Sequence, residues 1–436
     1  MILPDPLNVD SLEAAYLDWC PQAAPLLQLP TSLPAPLPFC VEGTLLQFIA
    51  SASRLSNDGL TVELKGIAKE DPSFALALQN AIGNTHVLCS WMMASRLIDS
   101  NGQELPKSES HVFSKYLDAM DTYEFMQTHA THQMRVNLIC VQGAKREFIQ
   151  PLYHEVGGRK VVRPFPDVRL FVQDILSQLA SSWTGKQIRE VSAPLAQLVK
   201  ELMENADWWA RTDASGTLYR NGKSFRVLSF RLVDIDEDNA ATFGGANHHL
   251  HSYLQTVLLE QGESDGGISS SRQRSIKRHT FLELTVVDSG PGLARRWLSS
   301  REAAPIVVND LNEIPIEVEK QAVTDCFSKW ATSSHSTARG IGLFSVARML
   351  QERNGFLRLR TGRLAYLFGT KSATKDVQLK ARDLGEEGSA SQHMLPDGTH
   401  VFMEDKEVAF FLRPWSKEEL GAVEGTSYSI LLPVRE

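Results

Sequence analysis

Residues 284–293, LTVVDSGPGL, constrain the fold more than any other stretch. The largely apolar run over 281–287 reads as a buried strand. It ends on Asp288, and a carboxylate at the end of a buried strand is costly unless it has a partner. Gly290, Pro291 and Gly292 then form a turn, where glycine lets another group approach the backbone closely. A fold built around this stretch needs a sheet, a covered strand end and something for Asp288 to bind. Turns of Asp and Gly are frequent on their own, so the rest of the chain must decide what this one means.

The chain has 436 residues, too long for one ordinary core and suited to two or three domains. Apolar residues make up 43% and charged residues 22%, which is globular composition. The net charge of −8 gives no global electrostatic case for nucleic acid or an anionic membrane. The five cysteines are scattered, without a CxxC pair, which argues against a disulfide framework or a zinc site and fits a reducing compartment. The N-terminus lacks the basic and apolar regions of a signal peptide, and no run is long enough to span a membrane. A cytoplasmic protein is expected.

Residues 1–40 are rich in proline and read as an extended leader with one short helix around 12–19. Residues 41–165 alternate helical and strand patterns: helices over 41–55, 73–82 and 112–129, strands over 60–67 and 136–141. They are expected to form a small α/β regulatory or interaction domain. Within it, TVELKGIAKEDPSFALALQNAI resembles the strand-then-helix core of STAS-like regulatory domains. Residues 166–436 read as a second domain, with helices over 171–181, 188–211 and 341–352. Its strands are expected over 225–233, 281–287, 356–360, 365–368, 401–411 and 427–432. The segment 236–280 reads as an insertion loop with a short helix around 253–261.

Three further motifs accompany the Asp288 turn. KELMENAD, 200–207, lies late in a long helix. Glu201 and Asn205 are four apart and share a helical face. Asn205 can offer its oxygen to Mg²⁺, a hard cation that prefers oxygen. Glu201 can orient or deprotonate water. Such pairs are also routine on solvated helix faces. CFSKWATSSHSTARGIGLFSVARML, 326–350, brings a Ser/Thr/Gly-rich stretch into a helix at Gly340-Ile341-Gly342. Backbone N–H groups at a helix N-terminus attract an anion. Lys329 and Arg339 add positive charge there, and Ser333, Ser334 and Ser336 add donors. EGTSYSILLP, 424–433, opens a closing strand with Gly425 and Thr426.

In this order the motifs resemble the N, G1, G2 and G3 boxes of the GHKL ATPases, the family of DNA gyrase B, the ninety-kilodalton chaperones, the histidine kinases and MutL. The resemblance covers about 191–433. It implies a Bergerat α/β sandwich, with a mixed, mostly antiparallel sheet and helices on one face, binding ATP and Mg²⁺. By resemblance, Glu201 is the general base, Asn205 the Mg²⁺ ligand, and Asp288 the adenine contact beside Gly290 and Gly292. A lid over about 327–342 places Ser336, Arg339, Gly340, Ile341, Gly342 and Leu343 near the phosphates, with Lys329 as the γ-phosphate cation. Thr426 closes the pocket.

Glu201 stands where histidine kinases usually carry Asn, which favours a slow ATPase working as a conformational switch with a protein partner or in a homodimer. The lid resembles the kinase arrangement, so a protein kinase of the histidine-kinase or anti-sigma type, or a non-hydrolysing ATP-binding module, is the alternative. His154 lies in a Gly-flanked segment unlike a phosphoacceptor helix. His248, His249 and His251 read as a solvated loop rather than a metal cluster. Arg272, Arg274, Lys277 and Arg278 could touch nucleic acid or phosphates, but a charged loop entering a strand is the blander reading. Trp208 and Trp209 are expected to pack on the sheet. Asp207 has no assigned role.

Overall fold

The computed structural model describes residues 1–19, 25–56, 58–105, 116–120, 135–144, 146–220, 223–264, 278–301, 305–328, 342–368, 377, 392–404 and 407–434. In chain order the elements are α1 (Val9–Asp18), β1 (Leu26–Pro30), α2 (Val41–Leu55), β2 (Thr61–Lys65), α3 (Phe74–Ile82), α4 (Thr85–Met93) and β3 (Arg96–Ile98). Then follow β4 (Arg135–Val141), β5 (Tyr153–Val156), β6 (Arg159–Val162), α5 (Phe165–Leu179), α6 (Gly185–Trp209), β7 (Phe225–Asp236), α7 (Ala240–Gly244) and α8 (His248–Ser264). The remainder is β8 (Arg278–Asp288), α9 (Leu293–Ser299), α10 (Ile316–Asp325), α11 (Gly342–Glu352), β9 (Phe356–Gly362), β10 (Leu364–Phe368), β11 (Gln392–Met394), β12 (His400–Glu404), β13 (Glu407–Pro414) and β14 (Val423–Pro433).

The fold is mixed α/β around a nine-stranded sheet of order β11-β12-β13-β10-β9-β14-β8-β7-β4. Every pairing in it is antiparallel, not mixed. The parallel pairings belong to a separate three-stranded sheet, β1-β2-β3. The single strand expected over 401–411 is a hairpin of β12 and β13.

Strand pairing crosses the expected boundaries at 40 and 165. The proline-rich leader is folded: Asn8 caps α1, and β1 pairs with β2. β4 is the outer strand beside β7 in the main sheet, because its apolar face completes the core under that edge. The expected helix over 112–129 lies outside the described residues except for 116–120. The segment 236–280 is more than a loop. Leu250, Tyr253, Leu254, Val257 and Leu258 of α8 are buried in a second core with Phe281, Phe356 and Leu431.

Residues alternate across the strands. On the front face Leu284, Val286, Ile430, Leu357 and Leu359 share a core with Leu195, Leu198, Leu202, Val346 and Leu350 of α6 and α11. On the back face lie Thr285, Ser427, Ser429, Arg358 and Arg360, and α1 and α2 cover them. Glu13 of α1 takes Arg358 at 2.5 Å and Arg360 at 2.8 Å, all three buried. Burial pushes the Glu13 carboxyl up, but the Arg360 and Arg358 guanidiniums outweigh it and hold it below its ordinary value. Glu42 of α2 pairs with Arg135 at 3.2 Å. Among the described residues no helix is long and apolar enough to cross a membrane.

Candidate functional site

The long helix α6 organises the site. Thr184 and Gln187 form a capping box at its start, satisfying backbone N–H groups that have no partner in the first turn. Leu195, Leu198, Val199, Leu202 and Ala206 recur at helical spacing and bury one face against the sheet. Glu201 and Asn205 flank that face and are half-buried. Gln197, one turn earlier, donates from Nε2 to Glu201 Oε1 at 2.8 Å.

The start of α11 meets this pair. A Cβ on Gly342 would lie 2.8 Å from Glu201 Oε2 and 3.8 Å from Asn205 Nδ2. The two motifs, far apart in sequence, therefore face each other, and a methyl at Gly342 would have to displace the tip of the Glu201 side chain. A half-turn of the Asn205 amide would present its oxygen in place of its nitrogen. Leu343 is buried under the first turn of α11.

The Asp288 turn abuts the far end of α6. Asp288 is 7% exposed, and its Oδ1 accepts from Gly290 N at 2.8 Å. Burial raises its carboxyl to about 6, against the Gly290 N–H, Arg54 and Thr426, which favour the charged form. Thr426 is its register partner on β14. A Cβ on Gly290 would stand 2.7 Å from Trp209 O and 2.9 Å from Ala210 Cα, so the turn is pressed onto the helix end. Gly292 has φ +83°, a conformation glycine adopts without strain. From Glu201 to Trp209 is just over two helical turns, about 12 Å. α6 thus meets Gly342 through a carboxylate–carboxamide pair in its last third and meets the turn after the buried Asp288 at its C-terminal end.

Other groups hold the turn that sequence reasoning did not single out. Thr361 Oγ1 accepts from Leu293 N at 3.0 Å. Glu424, the first letter of the fourth motif, pairs with Arg54 at 2.8 Å and Arg295 at 2.7 Å. Burial raises the Glu424 carboxyl, yet Arg295 and Arg54 outweigh it and keep it low. Asp207 meets Arg226 at 2.9 Å within a buried cluster that includes Glu147 and Tyr153, which gives it a structural partner.

Lys329, Ser333, Ser334, Ser336, Arg339, Gly340 and Ile341 lie outside the described residues, as do Arg272, Arg274 and Lys277. Arg278 pairs with Asp234. Trp208 does not pack on the sheet: it is 46% exposed, because the helix end turns it outward, while Trp209 lies against the Arg296 guanidinium at 4.0 Å. His248 and His249 lie with their rings in tilted contact at the start of α8 rather than in a loop, and His251 Nε2 contacts Gly245 O at 2.6 Å. No group of three or more His, Cys, Asp or Glu that could hold a metal occurs among the described residues. His154 is in the hairpin strand β5.

No family model, no curated protein and no solved structure matches this chain.

Proposed function

We propose that the chain is a GHKL-type ATPase that binds ATP with Mg²⁺ between α6 and the turn after β8. The observation that carries this reading is that α6 meets Gly342 at Glu201 and Asn205 and meets Gly290 at its C-terminal end.

The residues present suit both ligands. Asn205 offers one amide oxygen, and Mg²⁺ is commonly held by one or two protein oxygens together with phosphate oxygens and water. Such a site needs no cluster of three protein ligands. Asp288, charged above about pH 6, accepts a hydrogen bond from the exocyclic amino group of adenine. Gly290 and Gly292 let the turn pack closely on α6 and on Gly425 and so shape the base pocket, and Thr426 closes it beside Asp288. Glu201, oriented by Gln197, draws a proton from the attacking water. Phosphate contacts are assigned to Gly342 and Leu343 at the helix start, with Ser336, Arg339, Gly340 and Ile341. Lys329 is the proposed γ-phosphate cation.

Turnover is slow and serves as a switch, read by a partner protein or a second copy of the chain. Phosphate release by purified protein tests this. Wild type should release phosphate from ATP with Mg²⁺, and Glu201→Ala should lose about 10²-fold or more of that rate while still binding nucleotide. Equal rates in both would refute hydrolysis by Glu201.

A further inference from the structure

α2 carries a polar column along its sheet-facing side. Gly43 lies under Thr285, Ser427 and Ser429 at the sheet centre. One turn on, Gln47 Nε2 donates to Arg360 O at 3.0 Å. Another turn on, Ser51 Oγ accepts from Glu424 N at 2.7 Å. The column ends at Arg54, at the level of the Asp288 turn. There Arg54 Nη1 donates to Glu424 Oε2 at 2.8 Å and to Gly290 O at 3.3 Å. Its Nη2 donates to Lys223 O at 3.2 Å, and its guanidinium lies 3.8 Å from the Tyr219 ring centre. Gly425 N also donates to Gly290 O, at 2.6 Å, so Arg54 and β14 grip the same carbonyl. Glu424 is shared with Arg295, whose Nε donates to Pro291 O at 2.7 Å. Every carbonyl fixed in this way belongs to the turn after Asp288 or to a segment beside it.

We propose that Arg54 is a positioning residue for the purine end of the site: it holds the Gly290 carbonyl and Glu424 so that the turn presents Asp288 to an exocyclic amino group. The inference rests on the nucleotide reading above and adds a role for the N-terminal helices. Docking of α2 on the back of the sheet and purine recognition at its front edge are linked through one side chain. The linkage is reciprocal, because a ligand that favours one arrangement of the turn must also favour the docked helix. A lysine could not reproduce it, since a single ammonium lacks the planar fork that reaches Glu424, Gly290 and Lys223 together.

The test compares ATP with inosine triphosphate, which lacks the amino group, on the full chain with Mg²⁺ by calorimetry. Wild type should prefer ATP by about tenfold or more, the scale of one hydrogen bond to a buried charge. In Arg54→Met the preference should shrink toward one through loss of ATP affinity, while affinity for inosine triphosphate changes little. An unchanged ratio in Arg54→Met overturns the proposal, even if both affinities fall together. Failure of wild type to bind either nucleotide overturns the nucleotide reading itself and this inference with it. A second readout on wild type covers a variant that does not fold. ATP should slow hydrogen exchange over 47–56 together with 288–293 more than inosine triphosphate at equal occupancy does. Equal effects of the two ligands on 47–56 overturn the proposal.

Discussion

Thr426 on β14 stands directly across the ladder from Asp288 on β8, at the end of each strand's apolar run. The pair sits where two adjacent antiparallel strands meet the turn pressed onto α6. Asp288 is thereby held by Gly290 N at 2.8 Å while most of its surface is removed from water.

A pH dependence follows from that burial. Burial raises the Asp288 carboxyl to about 6, above its unfolded value of about 3.9. A raised folded value means that the folded state takes up the proton first, so this group favours folding as pH falls through about 6. The same protonation removes the acceptor that the purine amino group needs. ATP affinity should therefore weaken as pH drops from 7.5 to 5.5 while the fold holds. Asp288→Asn should bind ATP poorly at every pH and should melt no lower than wild type. Calorimetry across pH with parallel thermal melts checks both.

Gly342→Ala separates chemistry from folding. The new methyl would stand 2.8 Å from Glu201 Oε2, the end of a movable side chain, so stability should change by less than about 1 kcal/mol. The displaced carboxylate should lower hydrolysis by up to about 10²-fold, because a misplacement of about 1 Å can cost that much. Phosphate release and urea titration on the same preparation give both values.

Gly290→Val behaves in the opposite way. Its side chain would meet the backbone at Trp209 O and Ala210 Cα, which cannot yield as a side-chain tip can. The turn must leave α6, so both melting temperature and ATP affinity should fall, the former reflecting an overpacking cost in stability of about 1–3 kcal/mol. Differential scanning calorimetry with and without ATP measures the two losses.

Glu13→Gln tests the back face. Arg358 and Arg360 would keep their charges in a buried site without a counter-ion, at a cost of about 3–5 kcal/mol. Acid should act in the same direction. The folded Glu13 value is depressed, so its contribution is complete above the unfolded value of about 4.3 and is lost as pH falls through the folded one. Urea midpoints at pH 7 and pH 4, for wild type and variant, report it: the difference between them should narrow at the lower pH.

The parts legible in sequence were those with a strong local period. The helix around Glu201, the strand into Asp288 and the helix after Gly342 fall where the patterns put them. Within 236–280 the sequence suggests only a short helix around 253–261, whereas α8 spans His248–Ser264 and enters a core that nothing local reveals. Long-range pairing was not legible. Nothing local in 135–141 says that this strand borders β7 rather than the nearer β2. FLRLRTG alternates like a strand with a wet face, yet its arginines are buried because Glu13, some 345 residues away in sequence, covers them. Arg54 and Glu424 escaped notice for the same reason: an ion pair between distant segments leaves no periodic trace. The segment from Lys329 to Ile341 reads as phosphate-binding from its composition, and its residues lie outside those described.

Binding of ATP with Mg²⁺ is the measurement on which the functional reading turns. Titration calorimetry at pH 7.5 should give a saturable heat at one nucleotide per chain for wild type. The same titration into Asp288→Asn, folded by circular dichroism, should give little or none. No heat with wild type, or an unaltered isotherm with Asp288→Asn, would contradict it.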